Sequence, residues 1–285
     1  MNASSPLRYP GGKSAMAGLI GEILRLNRLG DRAIAEPFAG GAGASLTLLY
    51  REETREIFVN DADCAIHNFW WAVVNRSKMF IDLLTKTRVN MAEWRRQRNA
   101  YRDCRRLSRL RRGFSVFYLN RCNRSGIIMN GGPIGGVKQT GKWKLDARFN
   151  KPELRRRCEK IAEYRNRVHV SCRDGVEFIG SLNTESTFFF IDPPYFVKGK
   201  TLYLNALNEE YHIALAARLK SMKNGAWVLT YDDCPEIRRM YRTWATIRPF
   251  SLRYTAADRL TGKEILIAPK WMRLPTSQAS AAITW

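Results

Sequence analysis

Short apolar runs alternate along this chain with stretches of helical period, and that alternation sets the first expectation. Residues 33–36, 56–60, 168–172, 188–192 and 226–231 are apolar runs short enough to be strands. Residues 246–254 and 264–269 read as a closing pair around a polar turn that contains Gly262. Residues 14–27, 43–51 and 209–223 read as helices; in the last, Ile213, Leu215, Ala216 and Leu219 fall on helical spacing. Strands alternating with helices predict an α/β fold with a largely parallel, doubly wound sheet.

One gap breaks the rhythm. Roughly a hundred residues separate the second strand from the third, far more than a connection takes. Residues 70–165 therefore read as an inserted domain, with 1–69 and 166–272 forming the main one. The first half of the insert is helical and basic. Its second half, 113–150, is rich in glycine and turn signals (Asn130, Gly131, Gly132, Pro133; Gly135, Gly136) and predicts a hairpin or arm. The tail, 273–285, is small and polar and reads as disordered.

Charge then narrows the partners. Lys and Arg number 48 against 26 Asp and Glu, a net charge of +22. Such an excess points to a polyanion, since phosphates neutralised by Lys and Arg release counterions. No basic helix carries the clear apolar face a membrane surface would take, which leaves nucleic acid. Nine arginines stand between 95 and 112 with only Asp103 to balance them. The phosphate-contacting candidates are Arg95, Arg96, Arg98, Arg102, Arg105, Arg106 and Arg109. Six scattered cysteines without a CxxC pair and only three histidines argue against a metal site and fit a reducing, cytoplasmic setting. No run approaches the roughly 18 apolar residues of a membrane span, and no apolar leader opens the chain.

Two segments carry candidate chemistry. Phe188, Phe189, Phe190 and Ile191 form an apolar strand closed by Asp192, Pro193, Pro194 and Tyr195. Proline has no N–H to give a sheet ladder, so the strand ends there and its last carbonyls turn outward. Acceptors beside a flat aromatic ring suit a planar base bearing an exocyclic amine. Glu36, Pro37, Phe38, Ala39, Gly40 and Gly41 follow the first strand and open a helix, a turn that lets backbone approach a ligand. Asp61 ends the second strand, where a ribose diol is usually bound. Gly12, Lys13 and Ser14 invite a P-loop reading, but that loop needs a glycine where Leu7 stands.

In this order the motifs resemble the Dam-type (D12 class) DNA adenine-N6 methyltransferases. The segment Tyr9, Pro10, Gly11, Gly12, Lys13 resembles the family's N-terminal motif. Glu36 through Gly41 resemble its methionine-binding loop for S-adenosylmethionine, and Asn60, Asp61 its ribose motif. Arg173, Asp174, Gly175 and Val176 resemble the motif whose aspartate meets the cofactor's own adenine. Asp192, Pro193, Pro194 and Tyr195 resemble the catalytic motif. The likeness runs from about Pro6 to Pro269. It implies a Rossmann-like methyltransferase sheet, S-adenosylmethionine as cofactor, double-stranded DNA as partner and a flipped-out adenine as target, with Tyr9, Lys13 and Asp192 also near the cofactor. It implies a recognition arm at Asn120, Arg121, Asn123, Arg124 and Ser125. Members reading GATC carry an arginine just beyond, where this chain has Ile127, Ile128 and Met129, so a looser sequence preference is expected. Cytosine N4, RNA, or a non-catalytic nucleic-acid-binding relative are the alternatives left open.

Overall fold

A computed structural model describes residues 4–8, 13–103, 107–196, 207–252, 263–276 and 283–284. The chain forms two compact units, one from 13–60 and 173–285, the other from 1–12 and 61–172. The second unit is wider than the 70–165 read from the sequence, because the helix after Asp61 and the strand before Cys172 belong to it.

Seven strands build the first unit: β1 (Ala33–Glu36), β2 (Ile57–Asn60), β4 (Thr187–Ile191), β5 (Ala226–Asp232), β6 (Ala245–Leu252), β7 (Lys263–Pro269) and β8 (Ile283–Thr284). Their order is β2-β1-β4-β5-β7-β6-β8. β1 pairs in parallel with β2 and β4, and β4 with β5. β5, β7, β6 and β8 pair antiparallel. The sheet is thus parallel only in its first half. The closing pair adds an antiparallel half, and β8 lengthens it from within the tail read as disordered. The remaining tail residues 277–282 and 285 lie outside the described residues.

β4 and β5 are buried at every position, which is why they read as continuous apolar runs. On one face Phe189, Ile191, Trp227, Leu229 and Tyr231 share a core with helices α8 (Gly175–Ser181), α9 (Glu209–Ser221) and α10 (Pro235–Tyr241). Each large apolar side chain buried this way contributes roughly 1.5–3 kcal/mol. Helices α1 (Ala17–Leu26) and α2 (Gly43–Tyr50) complete the unit. From β1 the chain goes to β2 on one side, and from β4 to β5 on the other. Where neighbouring strands part like this, their carboxyl ends open a ligand crevice.

The second unit holds α3 (Cys64–Asn75), α4 (Ser77–Lys86), α5 (Met91–Arg102), α6 (Arg109–Cys122), α7 (Lys151–Glu163) and β3 (Val168–Ser171). Side-chain oxygens of Asp63, Asn90, Ser108 and Asn150 cap α3, α5, α6 and α7. Helix α6 is central, buried from Gly113 to Cys122. Phe69 stacks on Phe117 at 6.0 Å, with Phe80, Phe114 and Phe149 around them. A side chain at Gly113 would meet the Asn68 carbonyl at 2.3 Å, so only glycine lets α3 and α6 come this close. Residues 113–122 are therefore core helix, and the irregular arm begins only after Cys122.

Candidate active site

Glu36 ends β1, and Asp192 follows β4 on the neighbouring strand. The glycine loop after β1 brings the chain round through left-handed Gly40 and Ala42 into α2. This turn presents the Ser45 N–H to the Glu36 carboxylate at 2.9 Å, and the Ser45 hydroxyl donates to the same oxygen. Asn60 holds the loop from behind. Its amide donates to the carbonyls of Pro37 (2.9 Å) and Arg173 (3.0 Å), and its oxygen accepts the Arg173 N–H. One fully buried side chain thus ties together the chain after β1, the end of β2 and the start of the segment leading to α8.

Asp174 caps α8, its Oδ1 accepting from the N–H groups of Val176 (2.9 Å) and Glu177 (3.1 Å). A side chain at Gly175 would stand 2.4 Å from the Phe38 ring, so glycine is what admits that ring. Tyr211 of α9 meets Phe38 edge-on at 6.3 Å and accepts the Gly175 N–H at 3.1 Å. Burial, then the adjacent Asp174, push the Tyr211 phenol upward and keep it neutral. A buried carboxylate, a second acidic strand end and an aromatic wall make a lining suited to a cation with a planar group. That is the chemistry of S-adenosylmethionine, and Glu36, Phe38, Gly175 and Asp192 are the residues that could hold such a group.

The Asp-Pro-Pro-Tyr turn is braced. Thr230 Oγ1 donates to Asp192 Oδ1 at 2.5 Å, the Tyr195 hydroxyl donates to Glu264 Oε2 at 2.9 Å, and the Phe196 N–H donates to Asp232 Oδ1 at 3.2 Å. Tyr211, Thr230 and Glu264, which no motif in the sequence singles out, also stand at the site. Thr230 becomes legible once the register is known: Ile191 pairs with Leu229, which brings the next residue of β5 alongside Asp192.

Glu36 is fully buried, and burial pushes its carboxyl up to about 7, with the nearby Asp192 adding to the rise and the Ser45 bonds opposing it. The fold therefore favours the protonated acid. The associated stability is complete below about pH 4.5 and is lost as pH rises towards about 7. Relative to Glu36→Gln, which does not titrate, the ligand-free parent is expected to lose about 3 kcal/mol across that window. Urea unfolding of both proteins at a series of pH values checks this; a constant difference would sink it.

In the second unit Asp61 is half-buried and accepts the Asp63 N–H at 2.9 Å, starting the turn into α3. The expected recognition arm needs correction. Asn120, Arg121 and Asn123 are buried and spent on internal bonds. Asn120 brackets the backbone of Arg8 at 2.6 and 2.7 Å and donates to the Gly126 carbonyl. Arg121 donates to the Arg148 carbonyl at 2.7 Å, and burial lowers its guanidinium to about 9. Asn123 accepts from Trp94 Nε1 and donates to the carbonyls of Ile127 and Ile128. These side chains hold the arm and do not reach solvent. Arg124 and Ser125 are exposed, as are Arg95, Arg96, Arg102 and Arg109; Arg98 is half-buried and lies over the Trp94 ring at 5.2 Å. Beyond the expected residues, Trp143 is 63% exposed and Lys142 lies over its ring, in a loop tied by the Gln139 side chain. Tyr9, Arg105, Arg106 and the Lys13 side chain lie outside the described residues.

A doubly wound sheet with an acidic crevice at its switch point defines the class of nucleoside-cofactor α/β proteins. The profile of the D12 class N6 adenine-specific DNA methyltransferases matches residues 9–255, and the chain belongs to this family. It is accordingly an S-adenosylmethionine-dependent enzyme that methylates adenine N6 in DNA. Among solved structures it is similar to the rRNA methyltransferase AviRa from Streptomyces viridochromogenes, at 15% identity over 91% of this chain and 86% of that one, with a TM-score of 0.40. It is also similar to a class I S-adenosylmethionine-dependent methyltransferase from Listeria monocytogenes, at 9% identity over 97% of this chain and 65% of that one, with a TM-score of 0.41. No curated protein sequence matches the chain. No helix among the described residues is long and apolar enough to cross a membrane.

Proposed function

We propose that the target adenine leaves a DNA duplex and meets Asp192 and Tyr195, with the cofactor lying along Glu36–Gly41, Asp61 and Asp174–Gly175. The supporting observation is that Glu36 and Asp192 leave adjacent parallel strands at the switch point of the sheet, 156 residues apart in sequence. S-adenosylmethionine supplies a methyl group on a cationic sulfonium. Adenine N6 is a poor nucleophile because its lone pair is delocalised into the ring. Asp192 and the Pro193 carbonyl each accept an N6–H, which localises that pair, and the carboxylate offsets the positive charge growing on nitrogen. Tyr195 stacks on the base. Holding the reactants in line is worth about 7–11 kcal/mol. Flipping is required because an enzyme cannot reach its target atom inside the stack.

The exposed Arg124 and Ser125 and the arginines of α5 would face phosphates in the cytosol's duplex DNA, positioning the protein without reading sequence. Incubation with labelled cofactor and plasmid DNA, followed by digestion to nucleosides, is expected to yield N6-methyladenine. Only N4-methylcytosine, or methylation of RNA alone, would overturn the proposal. Asp61→Ala and Asp174→Asn are each expected to weaken S-adenosylhomocysteine binding about 10-fold. The Asn variant keeps an oxygen for the α8 cap, which Ala would remove as well. Calorimetry decides this: unchanged dissociation constants in both variants would reject the two contacts.

A further inference from the structure

Proline costs the catalytic turn its usual means of support. Pro193 and Pro194 have no N–H, so two consecutive residues after β4 cannot be fixed by donating to a neighbouring strand. Three polar side chains on β5 and β7 take over. Thr230 binds Asp192, Asp232 accepts the N–H of Phe196, and Glu264 accepts the hydroxyl of Tyr195. All three are buried, at 0%, 5% and 1% exposure. Buried polar groups on central strands are costly unless bonded, and Asp232 stands directly opposite Glu264 in the β5–β7 register, an arrangement that disfavours two acids. Local rules are broken in this way where a site needs the groups.

We infer that Thr230 and Glu264 are positioning residues for methyl transfer, Thr230 fixing the carboxylate of Asp192 and Glu264 fixing the ring of Tyr195, with Asp232 closing the brace at Phe196. The inference rests on Asp192 and Tyr195 being the groups that meet the base. Thr230 sets the rotamer of the carboxylate through Oδ1. Glu264 anchors the far end of the Tyr195 ring, whose flank is already set by Tyr231 at 6.2 Å. Neither residue needs to touch the substrate. Each removes a rotation that the turn would otherwise have to stop during the reaction.

The test uses the full chain, plasmid DNA and labelled S-adenosylmethionine in single-turnover reactions. Thr230→Val, which keeps shape and loses the hydroxyl, is expected to slow transfer about 10- to 100-fold. Affinities for S-adenosylhomocysteine and for plasmid DNA should stay within about threefold, and Thr230→Ser should recover most of the lost rate. For Glu264 the readout is a double-mutant cycle with Tyr195→Phe. Glu264→Ala should slow transfer about 10-fold in the parent and less than about twofold once the Tyr195 hydroxyl is gone. Glu264→Gln, which still accepts, should recover most of that loss. A Thr230→Val rate within about twofold of the parent, no recovery in Thr230→Ser, or an additive cycle would each overturn the inference. Should Thr230→Val lower the melting temperature until it cannot be assayed, the Glu264 cycle and Thr230→Ser still decide. An active Asp192→Ala protein would instead show that the reading beneath the inference is wrong, so the two failures are distinguishable.

Discussion

Replacing Asp192 with alanine is expected to slow single-turnover methyl transfer about 100- to 1,000-fold while plasmid DNA affinity changes by less than about threefold. The split follows from when each interaction is made. On the proposed reading, DNA affinity comes mostly from phosphates meeting arginines of the helical unit, far in sequence from the Asp-Pro-Pro-Tyr turn. In the proposed mechanism the carboxylate of Asp192 matters most as N6 becomes tetrahedral and gains positive charge, so its loss should raise the barrier without loosening DNA binding. Its setting supports this role. The group is half-buried and bonded to Thr230, near a buried Glu36 whose carboxyl is pushed up to about 7. Asp192→Asn separates charge from shape: it keeps an oxygen for Thr230 but removes the charge, and most of the loss should remain. A variant lacking the carboxylate that still turned over at the parent rate would falsify the assignment.

The parts of this site that were legible in the sequence are those made by local chemistry. The run Phe188–Ile191 reads as a buried strand, two prolines after Asp192 stop it, and the glycine turn after β1 leads into a helix. Partners supplied by distant chain were not legible. Asn60 reaches the backbone of Arg173, 113 residues on, and nothing near Asn60 announces it. Asn120 and Arg121 read as arm residues because Asn, Arg, Gly and Ser cluster there. Their bonds run instead to Arg8, Pro6 and Arg148, and this long-range backbone makes the end of α6 a buried polar junction. The same lesson covers the unit boundary. α3 follows β2 closely in sequence, yet Phe69 and Asn68 pack on α6, so α3 belongs with the helices. Glycine-rich composition after Gly113 predicted an arm; in Gly113 itself that composition instead serves a helix crossing.

DNA binding is expected to weaken about 1,000-fold between 50 and 200 mM salt, the second large effect. Within residues 95–124, six described arginines are exposed: Arg95, Arg96, Arg102, Arg109, Arg111 and Arg124. If each neutralises one phosphate, the slope of log affinity against log salt is about −5, and a fourfold rise in salt gives the loss stated. Within this stretch, exposure decides which arginines count. Arg121 carries formal charge in the +22 total, but burial among the backbone carbonyls it bonds removes it from the phosphate contacts. Two substitutions therefore separate the roles. Arg95→Ala with Arg102→Ala should make the slope shallower by about 2 and leave thermal stability nearly unchanged. Arg121→Ala should leave the slope alone and lower stability, since the Arg148 carbonyl loses a charged donor in a buried place. A filter-binding series at several salt concentrations, beside thermal melts of the same proteins, measures both. A slope that changes with Arg121 and not with Arg95 and Arg102 would mean that the buried end of α6, rather than the exposed arginines, meets the DNA.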